Sequence, residues 1–142
     1  MKRASDERQY GSAGVGLPVC AFCGSKYHEF PEYHTSADNM DFISAEGLQG
    51  SYDAMVKVID ALEHNRHYVM TCPCEPQLGK RGLYPTISQK GTYDAARAMQ
   101  HFTAYADGRN DLIEISDIIG VPVDRLIPIV QKLLEHQLIT FD

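Results

Sequence analysis

No apolar run in the 142-residue sequence approaches the roughly 18 residues that crossing a membrane requires. Basic residues are also scarce: 13 Lys and Arg stand against 19 Asp and Glu, for a net charge of −6. That balance argues against a protein whose main task is gripping nucleic-acid phosphates or an anionic membrane. The first residues, Met1-Lys2-Arg3-Ala4-Ser5-Asp6-Glu7-Arg8, turn polar where a secretory signal would turn apolar. The expected compartment is therefore the cytoplasm. Cysteine is sparse, and Cys20, Cys23, Cys72 and Cys74 read as thiols or metal ligands rather than a disulfide framework. What is present is ordinary. Apolar residues at 44% and charged residues at 23% exclude wholesale disorder and suit one domain or two small ones.

The first 31 residues have no helical period. Gly11, Gly14, Gly16, Pro18, Gly24 and Pro31 break them into turns around one short apolar piece, residues 17–22. That piece is expected as a buried strand, which needs a sheet to lie in. The first firm helix is expected over about 46–65, where Leu48, Tyr52, Met55, Val56, Ile59 and Leu62 fall at helical spacing. Ser44 is its N-cap, and Tyr68, Val69 and Met70 follow as a short strand or extended segment. Residues 71–91, with three Pro and three Gly, read as a connection.

Beyond it a helix is expected over 92–107, with Tyr93, Ala96, Met99, Phe102 and Tyr105 inward and Asp107-Gly108 as its stop. Asp111 and Glu114 form a capping box for the next helix, which carries Leu112, Ile115, Ile118 and Ile119 and ends at Gly120. Pro122 opens a last helix with Leu126, Ile129, Val130, Leu133 and Leu134 inside. Pro128 is tolerable there only if it falls in the first turn. Residues 138–141 close the chain as a strand. This order is that of a winged helix without its full wing.

Several side chains carry two readings. His34, in Glu32-Tyr33-His34-Thr35-Ser36-Ala37-Asp38, is either a metal ligand steadied by Asp38 or part of a polar loop. Asp6, Glu7 and Arg8 are either a substrate-facing loop, with Glu7 or Asp6 near a metal and Arg8 holding a carboxylate by its two-pronged face, or a solvated charged end. The four thiols could serve a structural zinc, although the spacing of Cys72 and Cys74 is short for one. His64 and His67 suit a helix C-terminus. A DNA-reading role for the last helices meets a charge problem. From Thr92 onward there are four basic residues, Arg97, Arg109, Arg125 and Lys132, against eight acidic ones.

Three stretches carry a family resemblance. They are Ser5-Asp6-Glu7-Arg8-Gln9-Tyr10, Phe30-Pro31-Glu32-Tyr33-His34-Thr35-Ser36-Ala37-Asp38-Asn39-Met40-Asp41-Phe42 and Cys74-Glu75-Pro76-Gln77-Leu78-Gly79-Lys80-Arg81-Gly82-Leu83-Tyr84-Pro85. In this order the chain resembles the polysaccharide biosynthesis proteins with an aminopeptidase-like domain, relatives of the zinc-dependent aminopeptidases. The likeness continues from Asp107 to Ile115 into the winged-helix tail. It implies that His34 is a zinc ligand with Asp38 as supporting residue. It also makes Glu7 the catalytic candidate, and Asp6 and Arg8 the substrate-binding ones. The implied chemistry is metal-assisted hydrolysis of an amide at the free N-terminus of a small peptide-like substrate.

The chain departs from the family at residues 20–23 and 26–29, and the family's earlier sheet strands and other metal ligands are expected upstream of Met1. The resulting expectation is an α/β protein: a C-terminal fragment of a zinc-aminopeptidase-like sheet domain (1–75), a connector (76–90) and a small, mostly α winged helix (91–142). Zinc belongs to the complete domain, and the chain alone is expected to be inactive. Its expected partners are a complementing upstream half or a second copy, with neither nucleic acid nor membrane. The rival expectation is a non-catalytic interaction module or pseudoenzyme fragment. In either case the long first helix should expose its apolar face.

Overall fold

Turn-forming residues at the start and capped helices at the end set the architecture of the computed structural model, which describes residues 6–83 and 92–142. The chain divides into two compact units, Met1–Ala54 and Met55–Asp142.

In the first unit, Asp6 opens a one-turn helix, α1 (Glu7–Tyr10). Gly11 then closes the turn by donating its N–H to the Glu7 carbonyl at 2.9 Å. Residues 17–22, expected as a buried strand, form no strand and are all exposed. The correction has a simple cause: a strand stands only when neighbours take its backbone groups, and the described residues of this unit contain no other strand. The long helix α2 (Ala45–Glu63), whose residues from Met55 on belong to the second unit, begins where Ser44 Oγ accepts the Gly47 N–H at 3.0 Å, the expected cap. Its apolar stripe is also as expected, yet Leu48, Tyr52, Met55, Val56, Ile59 and Leu62 are 42–65% exposed. Between residues 6 and 67, Glu7 alone is buried.

The second unit has a true core. Strand β1 (His67–Met70) is the middle of a three-stranded antiparallel sheet, ordered β2-β1-β3 with β2 (Asp107–Asp111) and β3 (Ile139–Phe141). Residues 67–70, which the sequence reading leaves at the end of the first segment, thus pair with strands from the end of the chain. Tyr68 stands opposite Phe141 and Val69 opposite Asp107. Gly108 takes φ +79, and a Cβ there would lie 2.8 Å from Val69 Cγ2, so the close approach of β2 to β1 needs glycine. The Asp107-Gly108 step, expected only as a helix stop, is therefore also the start of a strand.

Three helices cover the sheet: α3 (Thr92–Tyr105), α4 (Leu112–Ile119) and α5 (Val123–Glu135). Tyr93 belongs to α3, but its side chain lies outside the described residues, as do residues 84–90 of the expected connector. From α3, Ala98, Met99 and Phe102 point inward to meet Leu112 and Ile115 of α4 and Leu126, Ile129, Val130 and Leu133 of α5. Tyr105 and Ile118, expected inside, are 40% and 49% exposed. The Asp111 capping box is complete, and Gly120 ends α4 in the left-handed conformation at φ 65. A three-residue turn then leads to α5, the helix-turn-helix arrangement. Pro128 falls in the second turn of α5 rather than the first. It is exposed, so its ring faces solvent and the helix continues without that one N–H donor.

Candidate functional site

The two N-terminal motif segments meet in a cluster of aromatic rings. Glu7 is 8% exposed, and its Oε1 accepts the Tyr27 hydroxyl at 3.1 Å. The Tyr27 ring lies 6.3 Å from that of Tyr33, and Tyr33 stacks on His34 at 4.0 Å with an interplanar angle of 13°. His28 meets the same Tyr33 ring edge-on at 4.6 Å, while Phe30 joins Tyr33 at 5.6 Å and stacks with Phe42. Local hydrogen bonding shapes the loop that carries His34. Thr35 Oγ1 donates to the Glu32 carbonyl at 2.8 Å, and Asn39 Oδ1 accepts the Asp41 N–H at 2.8 Å. His34 itself sits at φ 58, a conformation uncommon for a non-glycine residue.

Of the residues singled out from the sequence, Glu7 and His34 therefore belong to one cluster. Asp6 and Arg8 are exposed at either side of Glu7; the Asp6 carbonyl accepts from Gln9 and Tyr10 at the start of α1. Asp38 donates its backbone N–H to the Thr35 carbonyl at 3.2 Å, and no hydrogen bond joins its carboxylate to His34. Tyr27 and Tyr33 were not singled out from the sequence. The signal for Tyr33 is its place beside His34; Tyr27 has none, because its contact with Glu7 spans twenty positions.

Cys20, Cys23 and Cys74 are exposed, and the half-buried Cys72 thiol donates to the Cys74 carbonyl at 3.2 Å. Among the described residues no three His, Cys, Asp or Glu side chains converge as a metal site would require. Among the same residues no helix is long and apolar enough to cross a membrane. His64, near the end of α2, bonds through Nδ1 to the Asp60 carbonyl at 2.8 Å and approaches its carboxylate at 3.2 Å.

In the second unit the strongest polar constellation is structural. Asn65 donates to Asp111 Oδ2 at 2.9 Å and accepts the Ile113 N–H at 3.0 Å. Asp111 Oδ1 takes the Glu114 N–H at 2.8 Å. Burial presses the Asp111 carboxyl upward, but the donors from Glu114, Asn65 and Ile113 and the nearby His67 outweigh it and hold the carboxyl below its usual value. Tyr68 goes the other way: burial raises its phenol, against a smaller opposing pull from Arg66. The exposed face of α5 offers Asp124, Arg125, Pro128, Gln131, Lys132 and Glu135. Two cations balanced by two carboxylates make a poor phosphate-binding surface.

Comparison with known proteins divides the chain at 65/66, just ahead of β1. Residues 66–141 match the winged helix-turn-helix family, and residues 1–65 match a domain of unknown function (DUF4910). A Clostridium acetobutylicum protein, named as a candidate polysaccharide biosynthesis protein with aminopeptidase-like domain, is 42% identical over 124 residues, 86% of this chain. A crystal structure of a candidate peptidase from C. acetobutylicum superposes with a TM-score of 0.78 at 33% identity, over 99% of this chain. The chain spans 28% of the length of the first and 30% of the second.

Proposed function

We propose, for a chain that belongs to the winged helix-turn-helix family through residues 66–141, that its N-terminal residues are part of a zinc-dependent aminopeptidase-like hydrolase. The reaction is hydrolysis of an amide at the free N-terminus of a small peptide-like substrate, in the cytoplasm. Glu7 is the catalytic carboxylate, Asp6 and Arg8 face the substrate, and His34 is a zinc ligand with Asp38 behind it. The observation that carries this reading is the 42% identity, over 86% of this chain, to a protein named for an aminopeptidase-like domain. Glu7 and His34 both lie in the segments that resemble the zinc aminopeptidases, and Tyr27 and Tyr33 link them.

The donor set present does not by itself fit a catalytic zinc, which takes three protein ligands. The described residues bring no three ligating side chains together. Zinc chemistry thus belongs to a completed domain, and the 142-residue chain alone is inactive. Further ligands arrive with a complementing half, as expected where relatives carry more than three times this length.

Zinc stoichiometry by mass spectrometry under non-denaturing conditions tests this. The chain alone should hold zinc weakly. Supplied with the remaining part of an aminopeptidase-like domain it should bind tightly, and His34→Ala should abolish that binding. Asp38→Asn should weaken it by about 10–100-fold. Tight one-to-one binding by the chain alone, lost on Cys→Ser changes and indifferent to His34→Ala, would replace this reading with a four-thiolate structural site. A second reading, a non-catalytic interaction module, is favoured by the acidic balance of the tail, with four basic against eight acidic residues from Thr92 onward. It predicts no zinc and no hydrolysis even in the completed assembly.

A further inference from the structure

We infer that Tyr27 and Tyr33 are positioning residues that hold Glu7 and His34 in one fixed frame. The roles of Glu7 and His34 rest on the aminopeptidase-like reading; the frame itself does not. Glu7 is the sole buried residue between positions 6 and 67, and a carboxylate taken out of water must be given donors. The Tyr27 hydroxyl supplies one, at 3.1 Å. A phenol donating to a carboxylate favours its ionised form, and it fixes the direction in which the group points. A general base needs both properties.

The same tyrosine continues the frame toward His34. Its ring is 6.3 Å from Tyr33, whose face carries the His34 imidazole at 4.0 Å. His28 closes on Tyr33 at 4.6 Å, and on Tyr27 edge-on at 5.9 Å. Both histidines hold left-handed backbone conformations, φ 67 for His28 and φ 58 for His34. Such conformations persist only where the surroundings over-determine them, and here each imidazole packs on the Tyr33 ring. Aromatic rings hold neighbours with only two side-chain torsions to fix, so two tyrosines can join the carboxylate and the imidazole at small entropic cost. Tyr27 acts through Glu7, and Tyr33 acts through His34.

The experiment uses the metal-free 142-residue chain at low concentration, with the Glu carboxyl carbons and His rings isotopically labelled for NMR. Tyr27→Phe keeps the ring and removes only the hydroxyl. Tyr33→Leu keeps bulk and removes the aromatic face. Tyr27→Phe should move the Glu7 carboxyl resonance, with the His34 ring signals left in place. Tyr33→Leu should abolish the ring-current displacement of the His34 ring protons. Backbone amide signals of residues 107–141 serve as the folding control and should be unchanged in both variants. An unmoved Glu7 carboxyl resonance in Tyr27→Phe, or unmoved His34 ring protons in Tyr33→Leu, would overturn the frame. Neither measurement involves zinc or substrate, so such a failure leaves the aminopeptidase-like reading standing, whereas the zinc stoichiometry above tests that reading and not the frame.

Discussion

The two units of this chain are built from similar residues and reach different ends. From β1 onward the second unit closes its core, with Phe102, Leu112, Ile115, Leu126, Val130 and Leu133 showing no exposed surface, while its α2 residues Met55, Val56, Ile59 and Leu62 stay 42–57% exposed. In Met1–Ala54 the comparable side chains stay in solvent, with Val15, Leu17, Phe22, Met40, Leu48 and Tyr52 at 51–80% exposure. An apolar stripe does not by itself separate them, since α2 carries one at helical spacing and leaves it exposed. What separates them is the presence of a facing layer. A helix or strand with one apolar face is stable when a second layer covers it. The winged helix-turn-helix unit contains both layers, whereas the N-terminal unit presents one. On the proposed reading the missing layer is the rest of an aminopeptidase-like domain.

Mutations should widen or erase that contrast. Leu126→Ala or Leu133→Ala, each at a fully buried site, should cost about 2–5 kcal/mol, read from denaturant unfolding followed by a probe in residues 112–133. A loss near zero at both would mean that this core is wrongly located. Gly108→Ala should be next. The new Cβ would crowd Val69 Cγ2 at a φ of +79, at a cost of about 1–3 kcal/mol. A neutral result would show that β2 can move away from β1 freely.

Asp111→Ala should cost about 0.5–2 kcal/mol through the lost cap, and the effect should depend on pH with a definite sign. The folded carboxyl lies below its usual value, so its contribution is full above the unfolded value of about 3.9. It is lost as pH falls through the folded value. The difference in unfolding midpoint between wild type and Asp111→Asn should therefore shrink on acidification below about pH 4. A gap that is constant from neutral to acid pH would contradict the assigned hydrogen bonds. The smallest effect should come from α2. Leu48→Ala, at a site 64% exposed, should change stability by less than about 0.5 kcal/mol in the chain alone and by far more in a completed domain. An equally large loss in the chain alone would erase the contrast.

Much of the second unit can be read from residues. Asp111 and Glu114 announce the start of α4, Gly120 its end, and Pro122 the entry to α5, because caps and breakers act locally. β2 cannot be read in this way. Asp107-Gly108-Arg109-Asn110-Asp111 lacks β-branched residues and alternation, and it is a strand only because β1 takes its backbone bonds. The placement of β1 is hidden for the same reason, since its partners lie some forty and seventy positions away. Residues 17–22 show the reverse error: they have the composition of a strand but no neighbour to pair with. At the candidate site, His34 stands out beside small hydroxyl residues and an aspartate, whereas the Tyr27–Glu7 bond arises from tertiary proximity alone.

Hydrogen exchange across the whole chain tests the central claim, that one unit holds its own core while the other awaits a covering layer. Amides of β1, the second half of α3, α4 and α5 should exchange only through global unfolding. Those of residues 45–54 should exchange orders of magnitude faster, and should slow when the remaining part of an aminopeptidase-like domain is supplied. Equal, global-limit protection of residues 45–54 and 112–133 in the chain alone would contradict the account.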